Sequence, residues 1–488
     1  MVLQRGQENP IWGWGEPDEE VSLVFAGKTL TTRCDAKAAW SVKLPAMEAS
    51  RENRRMTLQG KNTITLENIL VGEVWVCSGQ SNMGMSVNGC WNADLEMATA
   101  KYPLIRHITN PNMGSQEPQT TFKGTWETCA PENIGNFSAV GYFFGRTLHQ
   151  MLDIPIGLID NSWGGSACES WIPRDRMEGQ AIYQPLLDQW KEKEANYDWA
   201  KTMAAYDAKV VTWEQKRDEA KAAGKPLPLK PRPPRDEMIG QHRPANLYNA
   251  RHLPIVPYGI RGAIWYQGES NANRAYQYRD LFPLMIQTWR DDWQQGDFPF
   301  YWVQLADFRD EVPEPAESTW AELREAQTMT MARLKNTGQA VITDLGEASD
   351  IHPKNKQDVA LRLARWALAK DYGVNIPYRS AEFDTLTIKG DKATITFAHV
   401  NGALRAVDHK TLSGFELAGE DKKWFPAEAK LKGSDQVDVS SEQVAAPVAV
   451  RYAWADNPVC NLYDQKGLPV TPFRTDDWPG LTAEVFTR

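Results

Sequence analysis

The chain has 488 residues, 42% hydrophobic and 24% charged, a composition that excludes a disordered protein and calls for two or three folded domains. With 54 Lys and Arg against 63 Asp and Glu, its formal charge of −9 repels phosphate backbones and anionic lipid, which argues against nucleic acid and membrane as partners. The six cysteines, Cys34, Cys77, Cys90, Cys129, Cys168 and Cys460, form no C-x-x-C pair and no Cys/His cluster at zinc spacing, so neither metal nor redox chemistry is indicated.

The opening, MVLQRGQENPIWGW, lacks the charged-then-apolar pattern of a secretory signal and reads as a chain already inside a domain. A removed leader and a secreted or periplasmic location are the expectation. Residues 1–70 alternate apolar and polar in short runs such as Val21–Phe25 and Trp40–Leu44, separated by Gly, Pro and Asp, and predict a small β-sandwich. From residue 71 the texture changes: Val71–Cys77 is a continuous apolar strand, followed by helical stretches and further buried strands at Pro155–Ile159, Gly262–Trp265, Phe300–Val303 and Ala340–Ile342. Such alternation predicts a parallel sheet covered on both faces, with its site at the carboxyl ends of the strands.

This catalytic domain extends over 71–375 and carries an insertion at about 184–240. There a charged helical stretch, Trp190 to Gly224, leads into the Pro-rich KPLPLKPRPPRDE. It reads as a surface helical hairpin and linker, with a lid over the site as the alternative. Residues 376–488 return to alternation, with a hairpin expected at Leu386–Asp391 and Ala393–Phe397, and form a β-rich module that could pack on the N-terminal sandwich. The 20 tryptophans are expected mainly in the core, with some as flat platforms for sugar rings.

The strand ending at Cys77 runs into Ser78-Gly79-Gln80-Ser81-Asn82-Met83, which places Ser81 on a loop leaving a buried strand. Acyl transfer needs an exposed oxygen there, beside free backbone N–H groups. Alone, a serine on such a loop is more often a helix cap. A serine nucleophile needs a base, and the histidines are His107, His149, His242, His252, His352, His399 and His409. His352 stands out. It lies between the strand ending near Asp344 and the helix Lys354–Lys370, at the same kind of edge as Ser81, with Asp350 two residues before it to orient the ring. Two more strand-end loops suit an oxyanion. One is Asp160-Asn161-Ser162-Trp163-Gly164-Gly165-Ser166, where paired glycines let the backbone come close. The other is Tyr266-Gln267-Gly268-Glu269-Ser270-Asn271. There the neutral amide of Gln267 is a better donor than the Glu269 carboxylate, which reads as a scaffold or substrate contact.

The segments GEVWVCSGQSNM, NSWGGSACESW, GAIWYQGESNA and DIHPKNKQDVA resemble, in this order, the sialate O-acetylesterase family, a branch of the SGNH hydrolases. Also similar are NFSAVGYFFGR, RPANLYN and NPVCNLYD. The resemblance implies a flavodoxin-like three-layer α/β/α hydrolase domain with β-sandwich modules at the N- and C-terminal ends. It puts the nucleophile on Ser81, the base on His352, the oxyanion glycine on Gly165 of the Gly164-Gly165 pair and the amide on Gln267, with no cofactor. Gln80 stands where many SGNH members have Asp, and Gln267 where many have Asn. The customary acid three residues before the histidine is Ser349, so a triad through Asp350 and a Ser-His dyad both stay open.

Gln80, Asn82, Glu269 and Arg274 are the expected substrate contacts. A sialate carboxylate is expected to meet an arginine such as Arg243, Arg261, Arg274 or Arg279. The implied partner is an acetylated sugar or glycan, with sialic acid, xylan and xyloglucan fragments as alternatives. A non-catalytic carbohydrate-binding protein and a lipase or thioesterase are the competing readings. No long apolar segment suggests an acyl-chain tunnel.

Overall fold

The structure is a computed structural model and describes residues 1–408 and 410–488; His409 lies outside the described residues. Its frame is a parallel sheet built on one long strand. The N-terminal strands β1 (Val2–Gln4), β2 (Asn9–Trp14), β3 (Glu20–Phe25), β4 (Lys28–Arg33), β5 (Ala39–Leu44) and β6 (Ser50–Gln59) form the expected sandwich around Leu23, Phe25, Trp40 and Met56. Strand β7 (Thr63–Gly79) pairs antiparallel with β6 through its first half and then continues without a break into the centre of the main sheet. The residue-71 boundary therefore falls inside a single 17-residue strand.

The main sheet also contains β8 (Tyr102–Thr109), β9 (Glu127–Cys129), β10 (Ile156–Ser162), β11 (Gly262–Tyr266), β12 (Phe300–Val303) and β13 (Thr337–Ala340), in the order β13-β12-β11-β7-β10-β8-β9. All neighbours are parallel except β8 and β9. Side chains alternate between two faces, as a pleated strand requires. Trp75 and Cys77 of β7 and Ile264 and Tyr266 of β11 pack under helices α3 (Ala139–Leu152) and α8 (Lys356–Lys370). Val74, Val76 and Trp265 pack on the other side under α6 (Ala275–Trp293) and α7 (Thr319–Arg333). This is the three-layer α/β/α arrangement. Trp75, Trp171, Trp190, Trp265, Trp289 and Trp302 are among the largest fully buried side chains, so much of the tryptophan content is core.

Three shorter pieces complete the picture. Helices α1 (Ser81–Gly84) and α2 (Ala93–Ala98) follow β7, and α4 (Gln184–Ala195) with α5 (Trp199–Ala222) forms the inserted helical hairpin. Helix α5 buries none of its residues. The C-terminal module contains the expected hairpin, Glu382–Lys389 with Lys392–Ala398, around a core of Ile395, Phe397, Val437 and Phe473. Among the described residues its core is separate from that of the N-terminal sandwich, and no hydrogen bond joins the two. Arg324 of α7 donates to the carbonyls of Ala455 and Asp456, and Tyr276 of α6 donates to Trp478, so the module sits against α6 and α7. The six cysteines are free thiols.

Candidate active site

Gly79 ends β7 at φ +130°, a conformation that L side chains rarely adopt, and a Cβ there would lie 2.2 Å from the Tyr266 carbonyl oxygen. Only glycine permits so close an approach of β7 to β11 at the turn before the Ser81 loop. Ser81 then opens the four-residue helix α1 at the carboxyl end of the sheet, the edge where open α/β sheets bind ligands. His352 lies on the loop between β13 and α8, and its Nε2 is 2.8 Å from Ser81 Oγ. Residues 271 positions apart in sequence are thus within one hydrogen bond.

Asp350 is close but differently engaged. Its Oδ1 accepts the backbone N–H of His352 at 2.9 Å and stands 3.6 Å from Nδ1, beyond hydrogen-bond length. The His352 and Asp350 side chains are 40% and 43% exposed, so water reaches both.

The Gly164-Gly165 pair lies directly beside the serine, and a Cβ on Gly164 would sit 3.4 Å from Ser81 Cβ. Gly165 has φ +70°, and its carbonyl accepts from Ser270 Oγ at 2.9 Å while His242 Nε2 lies 2.8 Å from it. Among the described residues, the N–H groups of Ser81 and Gly165 donate to no protein acceptor. They are two free donors beside the Ser81 hydroxyl that His352 holds, and free donors are what an oxyanion requires.

Gln267 differs from its expected role. It is fully buried; its amide donates to the Ser166 carbonyl at 3.1 Å and to Asn271 Oδ1 at 2.7 Å, and its Oε1 accepts the Tyr278 hydroxyl at 2.9 Å. Both amide hydrogens are spent, so it braces the glycine turn instead of facing an oxyanion. Gln267→Leu is expected to cost about 2–4 kcal/mol of stability through the loss of buried hydrogen bonds. The readout is a lower denaturation midpoint; a fall in kcat at an unchanged midpoint would restore the donor role. The free amide is that of Gln80: its Oε1 accepts from the N–H groups of Gly268 (3.3 Å) and Ser270 (3.5 Å), while its nitrogen has no acceptor among the described residues.

Three expected substrate contacts are engaged within the protein. Arg274 is buried with Glu169 in an ion pair of 2.6 Å and also holds Gln277. Asn82, 1% exposed, donates to Glu269 at 2.6 Å and to the Ile351 carbonyl at 2.9 Å, and accepts from Lys356 Nζ at 2.6 Å. Its amide hydrogens are filled, and it ties the serine loop to the residue preceding His352. Burial raises the pKa of the Glu269 carboxyl, whose Oε2 has no partner among the described residues, and pushes the Lys356 ammonium down to about 7. The other arginines are paired too: Arg243 with Glu194, Arg261 with Glu73 and Arg279 with Glu325.

Lys356 and His242 escaped the sequence reading. Lys356 had a signal, since it shares a helical stripe with Val359, Ala360 and Leu363, all buried. His242, in an irregular loop, had none.

The carbohydrate esterase, sialic acid-specific acetylesterase family matches the chain over residues 71–223 and 238–368. The sialate O-acetylesterases of Homo sapiens and Mus musculus are each 28% identical to it, with alignments covering 99% and 97% of this chain and 93% and 92% of those proteins. A carbohydrate acetylesterase from Xanthomonas citri superposes with a TM-score of 0.81 at 36% identity, covering 98% of this chain and 97% of that one. The chain belongs to the carbohydrate esterase family of sialic acid-specific acetylesterases.

Proposed function

We propose that the protein hydrolyses acetyl esters on sugar hydroxyls, with O-acetylated sialic acid as its substrate, Ser81 as nucleophile and His352 as base. The observation that carries this is the 2.8 Å contact of Ser81 Oγ with His352 Nε2, beside the unengaged N–H groups of Ser81 and Gly165. In the first step His352 takes the proton from Ser81 as its oxygen attacks the acetyl carbonyl. The negative charge that develops falls to the two backbone N–H groups, with the Gln80 amide as the supporting side-chain donor. The sugar oxygen then leaves, carrying the proton from His352. Water, deprotonated by the same imidazole, attacks the acetyl-serine, and acetate departs as Ser81 recovers its proton.

The residues supply every proton transfer these steps need. The sugar's identity rests on the sialate O-acetylesterases that the chain resembles. Acetate release from O-acetylated sialic acid, acetylated xylo-oligosaccharides and acetylated xyloglucan fragments tests both parts. The sialic acid derivative is expected to give the highest kcat/KM. A preference for either plant oligosaccharide would reassign the substrate, and no acetate from any of them would remove the esterase reading.

A further inference from the structure

The arginines expected to meet a sialate carboxylate are all in ion pairs, yet a set of unpaired cations lies close to the site. We propose that the groove between the α4–α5 hairpin and the 234–242 loop holds the carboxylate of the acetylated sugar, making the enzyme selective for an anionic substrate; this rests on the function proposed above. The groove has a volume of about 860 Å³. On one side Tyr197 and Trp199 stack with ring centroids 6.5 Å apart, half-buried, as a flat apolar wall of the kind sugar rings pack on. Tyr197 is tied to the facing loop through its hydroxyl, which donates to Asp236. Trp190 lines the same groove, and its buried indole N–H has no acceptor among the described residues. The inner end is His242, against the Gly165 carbonyl, so the groove abuts the glycine turn beside Ser81.

Lys193, Lys201, Arg235 and Arg488 line this groove, and among the described residues none of them forms an ion pair. Of the carboxylates lining the groove, Asp198 caps α5 by accepting from the Lys201 N–H and Asp236 accepts from Tyr197 and from the Met238 N–H, whereas the Glu237 carboxylate accepts no hydrogen bond among the described residues and acts on Arg488 only through space. Arg488 is held in place by its own segment. Leu481 and Thr482 donate to the buried Glu322, and Arg488 exchanges two backbone hydrogen bonds with the Gln189 amide.

Its guanidinium Nη2 ends 2.8 Å from His242 Nε2, the nitrogen that also faces the Gly165 carbonyl. A guanidinium only donates and a carbonyl only accepts, so one imidazole nitrogen cannot satisfy both. Burial and Arg488 hold His242 at about 4, neutral at physiological pH, so one of the two contacts is always unmet. A carboxylate bound to Arg488 would remove that conflict and leave His242 free to donate to Gly165.

Steady-state kinetics on 9-O-acetylated sialic acid and on its C1 methyl ester test the subsite. The wild type is expected to show a KM about ten- to hundredfold lower for the free acid, the discrimination one charge-assisted hydrogen bond supplies. In Arg488→Gln and in the double variant K201Q/R235Q the two KM values should converge. KM is independent of how much enzyme is folded, so partial misfolding cannot imitate this. Equal KM values in the wild type, or discrimination retained in both variants, would overturn the subsite. If the wild type releases acetate from xylo-oligosaccharides but from neither sialate compound, the sialate reading itself fails and takes the subsite with it.

Discussion

Ser81→Ala is expected to lower acetate release from an acetylated sugar by about 10⁴-fold or more, and His352→Ala by a similar factor. The two groups act as one unit: without the imidazole the hydroxyl stays protonated, and without the hydroxyl the imidazole has nothing to activate. The double variant should therefore be scarcely worse than either single one. Ser81 makes no hydrogen bond besides that to His352 through its side chain among the described residues, so the denaturation midpoint should hardly move. Asp350→Asn separates triad from dyad. With its carboxylate 3.6 Å from Nδ1 and water-exposed, the expected loss is about tenfold or less. A loss of several orders of magnitude would make Asp350 the third member of a triad, and wild-type turnover in Ser81→Ala would dismiss the nucleophile altogether.

Lys356→Met should abolish a pH dependence of stability. In the folded protein burial holds this ammonium at about 7, with Glu269 pulling the other way, against 10.5 in its ordinary state. Between these values the unfolded chain carries a proton that the folded one has released, so wild-type stability rises with pH across the interval and is lowest below it. The full span corresponds to on the order of 5 kcal/mol. Urea unfolding at pH 7 and pH 10 should show the wild type gaining on the variant as pH rises. Because other groups titrate in that range, the difference between the two proteins is the quantity to read. A difference that stays flat with pH would mean that Lys356 keeps an ordinary ammonium in the folded state.

The sheet was legible because its central strands carry apolar residues on both faces, and runs such as Val74–Cys77 and Phe300–Val303 read as buried strands. The juxtaposition of Ser81 and His352 was legible because each follows a strand of the main sheet at the edge where ligands bind, although the strand before His352 is Thr337–Ala340 and not the apolar run Ala340–Ile342, and because the short roster of histidines left little choice. What escaped was the direction of individual side chains. Gln267 and Asn82 carry the right chemistry in the right loops, yet one turns into the α6 layer and the other bridges two loops, because buried polar groups must find partners. The pairing of Arg274 with Glu169 spans 105 residues, and no local pattern announces it. The C-terminal module was read as β but docked on the wrong neighbour, since alternation tells which face of a strand is buried and not what buries it.

The uninterrupted run of β7 from the N-terminal sandwich to the Ser81 loop also has a mechanical side. Residues 63–69 of β7 pair only with β6, and its second half is flanked by β10 and β11; a strand so tethered resists being drawn along its own axis far better than it resists peeling, because many hydrogen bonds must slip at once. Tension on the N-terminal module is therefore carried as shear along β7, and the last residue on that line of force is Gly79, two positions from Ser81. The sandwich and the serine are coupled in series, like a handle and a blade cut from one piece of steel.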